Sequence, residues 1–255
     1  MKHEILIVSY WRDFPWLDFA IRSLDRFSAG FGITVVVPTG YEALPRQFLE
    51  KTKNLRWQVR SDAEPAGLGQ LFSQVTKCSA DVFVPKGTDV VTFFDSDCIL
   101  TGHLTPDMLM KCGKPECWYE TFESLNAHSG DSRIWQPVIE ENLRFSVPVE
   151  TMCRFPLSYP IGLFPRVRSH IEEVHRKRFA DYVFNTGRNE FPQRFCESDV
   201  LGGYAWVKCP EIFHWTNVNT DHLDRLPLIQ FWSHGGFDFV KNGEKQRDTI
   251  ARILG

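Results

Sequence analysis

Two aspartates separated by one small residue, Asp95-Ser96-Asp97, follow directly on the apolar run Val90-Val91-Thr92-Phe93-Phe94. Carboxylates spaced in this way beyond a buried strand offer hard oxygen donors that suit Mg²⁺ or Mn²⁺. They leave most of the coordination shell to phosphate oxygens and water. A cation held there would offset the charge that develops on a departing diphosphate. The same triplet elsewhere only bends a chain or caps a helix, so its placement decides its meaning. Lys77, Arg154, Arg166 and Arg168 are cations that could pair with such phosphates, Arg through a planar donor fork and Lys as a point charge. The run Arg176-Lys177-Arg178 reads instead as a solvated helix face.

The elements upstream must supply that placement. Glu4-Ile5-Leu6-Ile7-Val8 is the continuous apolar run of a parallel strand buried on both faces. Between Asp13 and Phe27 the apolar residues Phe14, Leu17, Ile21, Leu24 and Phe27 recur at helical spacing, with Asp13 as the cap and Pro15 tolerated in the first turn. Ile33-Thr34-Val35-Val36-Val37 is a second strand, so the chain opens β-α-β. A helix over Tyr41 to Lys53, an edge or exposed strand at Leu55 to Val59 and a helix from Gly67 to Cys78 follow. The strand Val90 to Phe94 then delivers Asp95-Ser96-Asp97 at its carboxyl end, where open α/β sheets place their ligands.

Beyond about residue 115 the pattern is less regular. Trp118 to Phe122 suggests a strand, Asn126 to Pro137 a loop, and Pro156, Pro160 and Pro165 a stretch rich in turns. Ser169 to Phe184 reads as one helix, capped by Ser169 with Glu172 and Glu173 in its first turn. Glu197 to Trp206 reads as another, weakened by Gly202-Gly203.

Composition narrows the function classes. A net charge of −3 gives no global attraction for nucleic acid, whose binding rests on clustered Lys and Arg. Seven cysteines, an odd number without close pairing, fit unpaired thiols in a reducing compartment, and the expected location is cytoplasmic. Cys112 and Cys117 lack the second ligand pair that a zinc site needs. The apolar run Ile5 to Val8 is too brief for a signal-peptide core, and no stretch of about 18 apolar residues would span a membrane.

Ile5-Leu6-Ile7-Val8-Ser9-Tyr10, the strand at Thr34 to Val37 and Val91-Thr92-Phe93-Phe94-Asp95-Ser96-Asp97 together resemble the nucleotide-sugar half of GT-A glycosyltransferases with a DXD motif. Pro156-Leu157-Ser158-Tyr159-Pro160, His170 to His175 and Glu197-Ser198-Asp199-Val200-Leu201-Gly202-Gly203-Tyr204 look similar to a sparsely characterised bacterial and phage branch of that superfamily. The resemblance implies an α/β, Rossmann-like fold: a mostly parallel central sheet flanked by helices, with an irregular C-terminal acceptor-side region. It implies a single catalytic domain over 1–255, with the nucleotide-sugar half at 1–102 and the acceptor half at 103–255. It also implies residue roles. Asp97 would contact Mn²⁺ or Mg²⁺ directly, Asp95 the ribose or a metal-bound water, and Ser96 would lie between them in the donor site. Ser9, Tyr10 and Asp13 would line the nucleotide pocket, although Tyr10 reads equally as an aromatic packed at a strand end and Asp13 as a plain helix cap. Asp62 would meet the base and Lys77 the phosphates. Glu197, with Asp199 second, is the acid that would face the acceptor hydroxyl and take its proton. His234, on the Gly-flanked segment Phe231-Trp232-Ser233-His234-Gly235-Gly236, would be the third metal ligand, with His214 as its rival.

The implied partners are a nucleotide-sugar donor, a UDP-sugar by the family's habit, and a hydroxyl-bearing acceptor: a saccharide, a small molecule or a hydroxylated DNA base. A nucleotidyltransferase is the competing enzyme class, but Ser9-Tyr10-Trp11-Arg12 has no glycine for a phosphate loop. A non-catalytic nucleotide-sugar-binding protein is the competing binding module.

Overall fold

The apolar runs become the middle of a five-stranded sheet. In the computed structural model, which describes residues 1–64, 68–128, 135–186, 194–231 and 248–254, strands β1 (His3–Val8), β2 (Phe31–Pro38), β3 (Arg56–Asp62) and β4 (Val90–Phe93) are parallel. A fifth strand, Leu157–Pro160, labelled β9 in chain order, runs antiparallel on the outer side of β4, giving the order β3-β2-β1-β4-β9. The result is the mostly parallel sheet flanked by helices that the family resemblance implies. β1 lies between β2 and β4, so the strand order reverses beside β1, the place at whose carboxyl ends open α/β sheets bind their ligands.

Alternation along β1 explains the two layers. Ile5 and Ile7 point into a core with helix α1 (Phe14–Phe27), Leu49 of helix α2 (Ala43–Glu50), and Ile250 and Leu254 of a helical segment at 248–254. Leu6 and Val8 point into the other core, with Phe72 and Val75 of helix α3 (Gly69–Cys78) and residues of the second half. Ile5, Leu6 and Ile7 are wholly buried, and each contributes roughly 1.5–3 kcal/mol by leaving water.

After α3 come helix α4 (Ala80–Phe83), β4 and the short strand β5 (Cys98–Leu100). Strands β6 (Met110–Lys111), β7 (Lys114–Thr121), β8 (Val149–Glu150) and β10 (His214–Asn217) form a second sheet around β7. Helices α5 (Phe122–His128) and α6 (Trp135–Leu143) follow β7, and α7 (Leu163–His175), α8 (Phe179–Asn185) and α9 (Glu197–Lys208) complete the layer over the Leu6 face. β11 (Leu228–Gln230) pairs antiparallel with β5. Among the described residues no helix is long and apolar enough to cross a membrane, and all seven cysteines are unpaired thiols.

Several local expectations shift. The strand expected at Leu55 to Val59 runs on to Asp62, because its pairing with β2 continues through Pro38↔Asp62. Asp62 is therefore a strand-end residue, not part of a loop. The single helix expected from Ser169 to Phe184 is two helices, separated where Arg176 turns left-handed at φ 55°. α7 starts at Leu163, with Pro165 in the first turn, where a missing N–H costs nothing. Glu172 acts on the next helix: its Oε1 accepts from the Phe179 backbone N–H at 2.8 Å. Asp13 occupies the N-cap position of α1, but its carboxylate makes no capping hydrogen bond.

Candidate active site

The centre of the site is a buried ammonium between two carboxylates. Asp95 follows β4 in a turn closed by the Cys98 N–H on the Asp95 carbonyl at 3.0 Å. Lys77 comes from the last turn of α3, and Glu197 is the first residue of α9. Lys77 Nζ lies 2.8 Å from Asp95 Oδ1 and 2.9 Å from Glu197 Oε1, above the Phe93 ring at 5.7 Å. The lysine side chain is 7% exposed and that of Asp95 27%, so the group is covered from below and reachable at Asp95. Burial alone would depress the Lys77 pKa; the Asp95 and Glu197 carboxylates outweigh it and hold the ammonium charged well above its ordinary range. Among the described residues, the two carboxylates share this one ammonium.

Asp97 and Ser96 are buried in the same turn. Gln230 Nε2 approaches Asp97 Oδ1 at 3.4 Å, and the Phe231 N–H donates to the Asp97 carbonyl at 2.9 Å. The pairing of β11 with β5, Gln230↔Cys98, thus brings the C-terminal part of the chain against the acidic turn. His234, expected as a metal ligand, lies outside the described residues. His214 begins β10 in the other sheet, in register with Glu116.

The nucleotide-pocket candidates stand at the carboxyl edge of the sheet. Ser9 directly follows β1; it is buried and its Oγ has no hydrogen-bond partner among the described residues. Tyr10 lies against α3, with its Cε2 3.5 Å from the point a Cβ on Gly69 would occupy. Asp13 sits between the first turn and α1. Asp62 is engaged within the fold: Oδ1 accepts from the Ala63 N–H at 2.8 Å and Oδ2 from the Thr76 hydroxyl at 3.2 Å.

The arginines divide differently from the lysine. Arg154 donates to Glu116 at 3.0 Å and covers Trp118 at 4.4 Å. Arg168 clamps both oxygens of Asp81, at 2.5 and 2.8 Å, and the Cys78 carbonyl at 2.7 Å. Arg166 is exposed on α7.

Asp199 does not face Lys77. It is buried, accepting from the Thr151 N–H at 3.1 Å, the Thr151 hydroxyl at 3.3 Å and the Cys196 thiol at 3.3 Å. Its carboxyl neighbour is Glu150, which the sequence reasoning did not single out. Burial first, and then the Asp199 charge, push the Glu150 pKa up to about 9. Burial raises Asp199 as well, against the bonds from Glu150 and Thr151. Both shifts favour one proton shared between the two carboxyls. A buried glutamate opposite Glu120 in the β7–β8 pairing carries no sequence signature beyond an acid beside Val149.

A sheet of this order, with helices on both faces and an acidic turn beyond its fourth strand, is a GT-A-type α/β fold. The solved structure of the galactosyltransferase LgtC, in complex with donor and acceptor sugar analogs, superposes on 99% of this chain and 95% of its own with a TM-score of 0.57 at 12% identity. The glycosyltransferase GlyE of Streptococcus pneumoniae TIGR4 aligns over 85% of this chain and 45% of its own, with a TM-score of 0.43 and 14% identity; the fold assignment rests on the first alone. No family model matches the sequence, and no curated protein is similar to it at the sequence level.

Proposed function

We propose that the protein is a glycosyltransferase that moves a sugar from a nucleotide-sugar, a UDP-sugar in the first instance, to a hydroxyl-bearing acceptor. The observation that carries this reading is the convergence of Lys77, Asp95 and Glu197 within 2.9 Å contacts at the carboxyl edge of a GT-A-type sheet. A buried ammonium whose titration is shifted by two carboxylates, one of them partly exposed, is the kind of group that marks a functional-site candidate.

The donor set at the turn suits Mn²⁺ or Mg²⁺: hard carboxylate oxygens, with Asp95 reachable. Among the described residues no three His, Cys, Asp or Glu side chains gather at ligand spacing. Asp95 and Asp97 would therefore hold the ion together with His234, diphosphate oxygens and water. When bound, the ion supplies charge neutralisation to the leaving diphosphate.

The chain's own residues do the rest. Lys77 fixes the Asp95 and Glu197 carboxylates in place and offers positive charge to the donor. The acceptor oxygen forms the bond to the anomeric carbon, the bond to the diphosphate oxygen breaks with its electron pair, and Glu197 takes the hydroxyl proton. Asp199, turned toward Thr151 and Glu150, holds the start of α9 and with it Glu197.

Calorimetric titration of UDP, GDP and their sugar conjugates, with Mn²⁺ or with chelator, tests the reading on wild type and Asp97→Ala. Metal-dependent binding of one nucleotide, lost in the variant, is the expected result. Absence of binding by any nucleotide overturns it.

A further inference from the structure

Under the first turn of α9 two buried carboxyl groups meet. Glu150 ends β8, Asp199 is the third residue of α9, and their side chains are hydrogen-bonded to each other. Two ionised carboxylates have only acceptors, so this bond requires a proton. Asp199 accepts from the Thr151 N–H at 3.1 Å and the Cys196 thiol at 3.3 Å, and the first turn of a helix favours an anion. The proton therefore sits on Glu150, which donates to Asp199 while its Oε1 accepts from the Met152 N–H at 3.1 Å.

Among the described residues, the groups that face this pair are themselves acids: Glu120 and Cys117 of β7, Cys153 beyond β8, Tyr159 of β9 and Cys196 before α9. Burial pushes the thiols and the phenol up, which leaves them neutral. Glu120 is taken up by the Ser124 hydroxyl at 2.7 Å, the Asn219 amide at 2.9 Å and His128 at 3.2 Å. The neighbouring cations are engaged as well, Arg154 with Glu116 and Lys77 with Asp95 and Glu197. Loss of the Glu150 proton would set two bare carboxylates against each other in a buried place, and one of the elements that carry them would have to move.

β8 is fixed on its far side by its pairing with β7, so the displacement falls on α9. The start of that helix rests on the residue next to Glu150: the Ser198 carbonyl lies 3.4 Å from the Thr151 hydroxyl, and Gly202 is packed directly on Thr151. Glu197, two residues before Asp199, reaches Lys77 from the same turn at 2.9 Å. On the glycosyltransferase reading given above, we infer that Glu150 is a positioning residue: its proton, donated to Asp199, holds the first turn of α9 and through it the Glu197 carboxylate that faces the acceptor hydroxyl. Burial and the Asp199 charge carry the Glu150 pKa up to about 9, so the tie is whole at neutral pH and is lost in the alkaline range.

The test compares wild type, Glu150→Gln and Glu150→Ala between pH 7 and pH 10. The glutamine amide donates to Asp199 at every pH and has no proton to lose in this range; alanine removes the donor. The first readout is amide hydrogen exchange over residues 197–206, compared between proteins at one pH so that intrinsic rates cancel. Wild type and Glu150→Gln should agree at pH 7, and at pH 10 wild type should exchange at least about tenfold faster. The second readout is release of UDP from UDP-glucose and UDP-galactose, with Mg²⁺ and with water as the acceptor, beside donor affinity by calorimetry. In wild type kcat should fall by about tenfold per pH unit above the Glu150 titration with donor affinity little changed, and Glu150→Gln should hold its neutral rate. Glu150→Ala should lose roughly 10- to 100-fold in kcat already at pH 7, as displaced catalytic groups do. If Glu150→Ala does not fold, the glutamine comparison decides alone. Exchange rates and kcat that follow the same pH course in wild type and Glu150→Gln overturn the inference and leave the glycosyltransferase reading standing. Release of UDP from neither sugar conjugate at any pH counts against the UDP-sugar reading and not against the tie, which the exchange comparison then decides.

Discussion

Lys77 and Glu197, 120 residues apart in sequence, meet at 2.9 Å with both side chains largely withdrawn from water. Removing one member of such a buried pair strands the other. Lys77→Met should lower the unfolding free energy by roughly 3 kcal/mol, and Lys77→Met with Glu197→Leu should recover part of that loss. Chemical denaturation of the two variants decides it; equal destabilisation would show that the ion pair is not what the lysine supports.

Glu197→Gln keeps size and hydrogen bonding but removes the proposed proton acceptor. Transfer should fall by about 100-fold in kcat while donor binding by calorimetry changes little. An unchanged kcat would remove Glu197 from the chemistry.

Gly202 packs so closely on Thr151 that an added Cβ would stand 2.1 Å from the threonine Oγ1 and 2.6 Å from its Cβ. Rotating the threonine cannot relieve the second contact. Gly202→Ala, although favourable for an isolated helix, should cost about 2 kcal/mol of stability. A raised melting temperature would contradict this.

Stability should fall as pH rises through neutrality. Glu150 goes from an ordinary value of 4.5 to about 9 on folding, so between these limits the folded protein holds a proton that the unfolded chain has released. His3, buried against Thr92 at 2.6 Å, goes the other way, from 6.5 to about 4 as burial disfavours its charge. The two slopes oppose each other between 4.5 and 6.5, and above 6.5 the carboxyl slope remains, at most about 1.4 kcal/mol per pH unit. Thermal unfolding between pH 6 and pH 9 should show the decline in wild type and a flatter profile in Glu150→Gln.

Arg168 should behave as a structural clamp. Arg168→Lys gives up the fork on Asp81 and should cost about 1.5 kcal/mol, with nucleotide affinity unaltered.

The strands and the acidic turn were legible because a parallel strand buried on both faces must be largely apolar, as Ile5 to Val8 and, Thr92 apart, Val90 to Phe94 are. What escaped is long-range or conformational. Nothing local announces that Lys77, rather than Arg154 or Arg168, is the cation at Asp95, since all three follow from pairings across 18 to 120 residues of chain. The break at Arg176 is a left-handed residue without the glycine that usually signals one. Gly202-Gly203 weighed against a helix by propensity, yet the helix forms because the missing side chains let it approach Thr151 and Val147. Glu150 is invisible until β8 is known to lie under α9.

The outer strand of the main sheet carries one more consequence, for the order of folding. β4 is flanked on its open side by Leu157–Pro160, which is translated long after the parallel strands. Until that segment arrives, the nascent chain presents the Val90–Phe93 rim as an uncapped template for any passing strand. The late strand therefore covers a margin that would otherwise be open to pairing, and the candidate site above it takes shape only when the second half of the chain has joined the first.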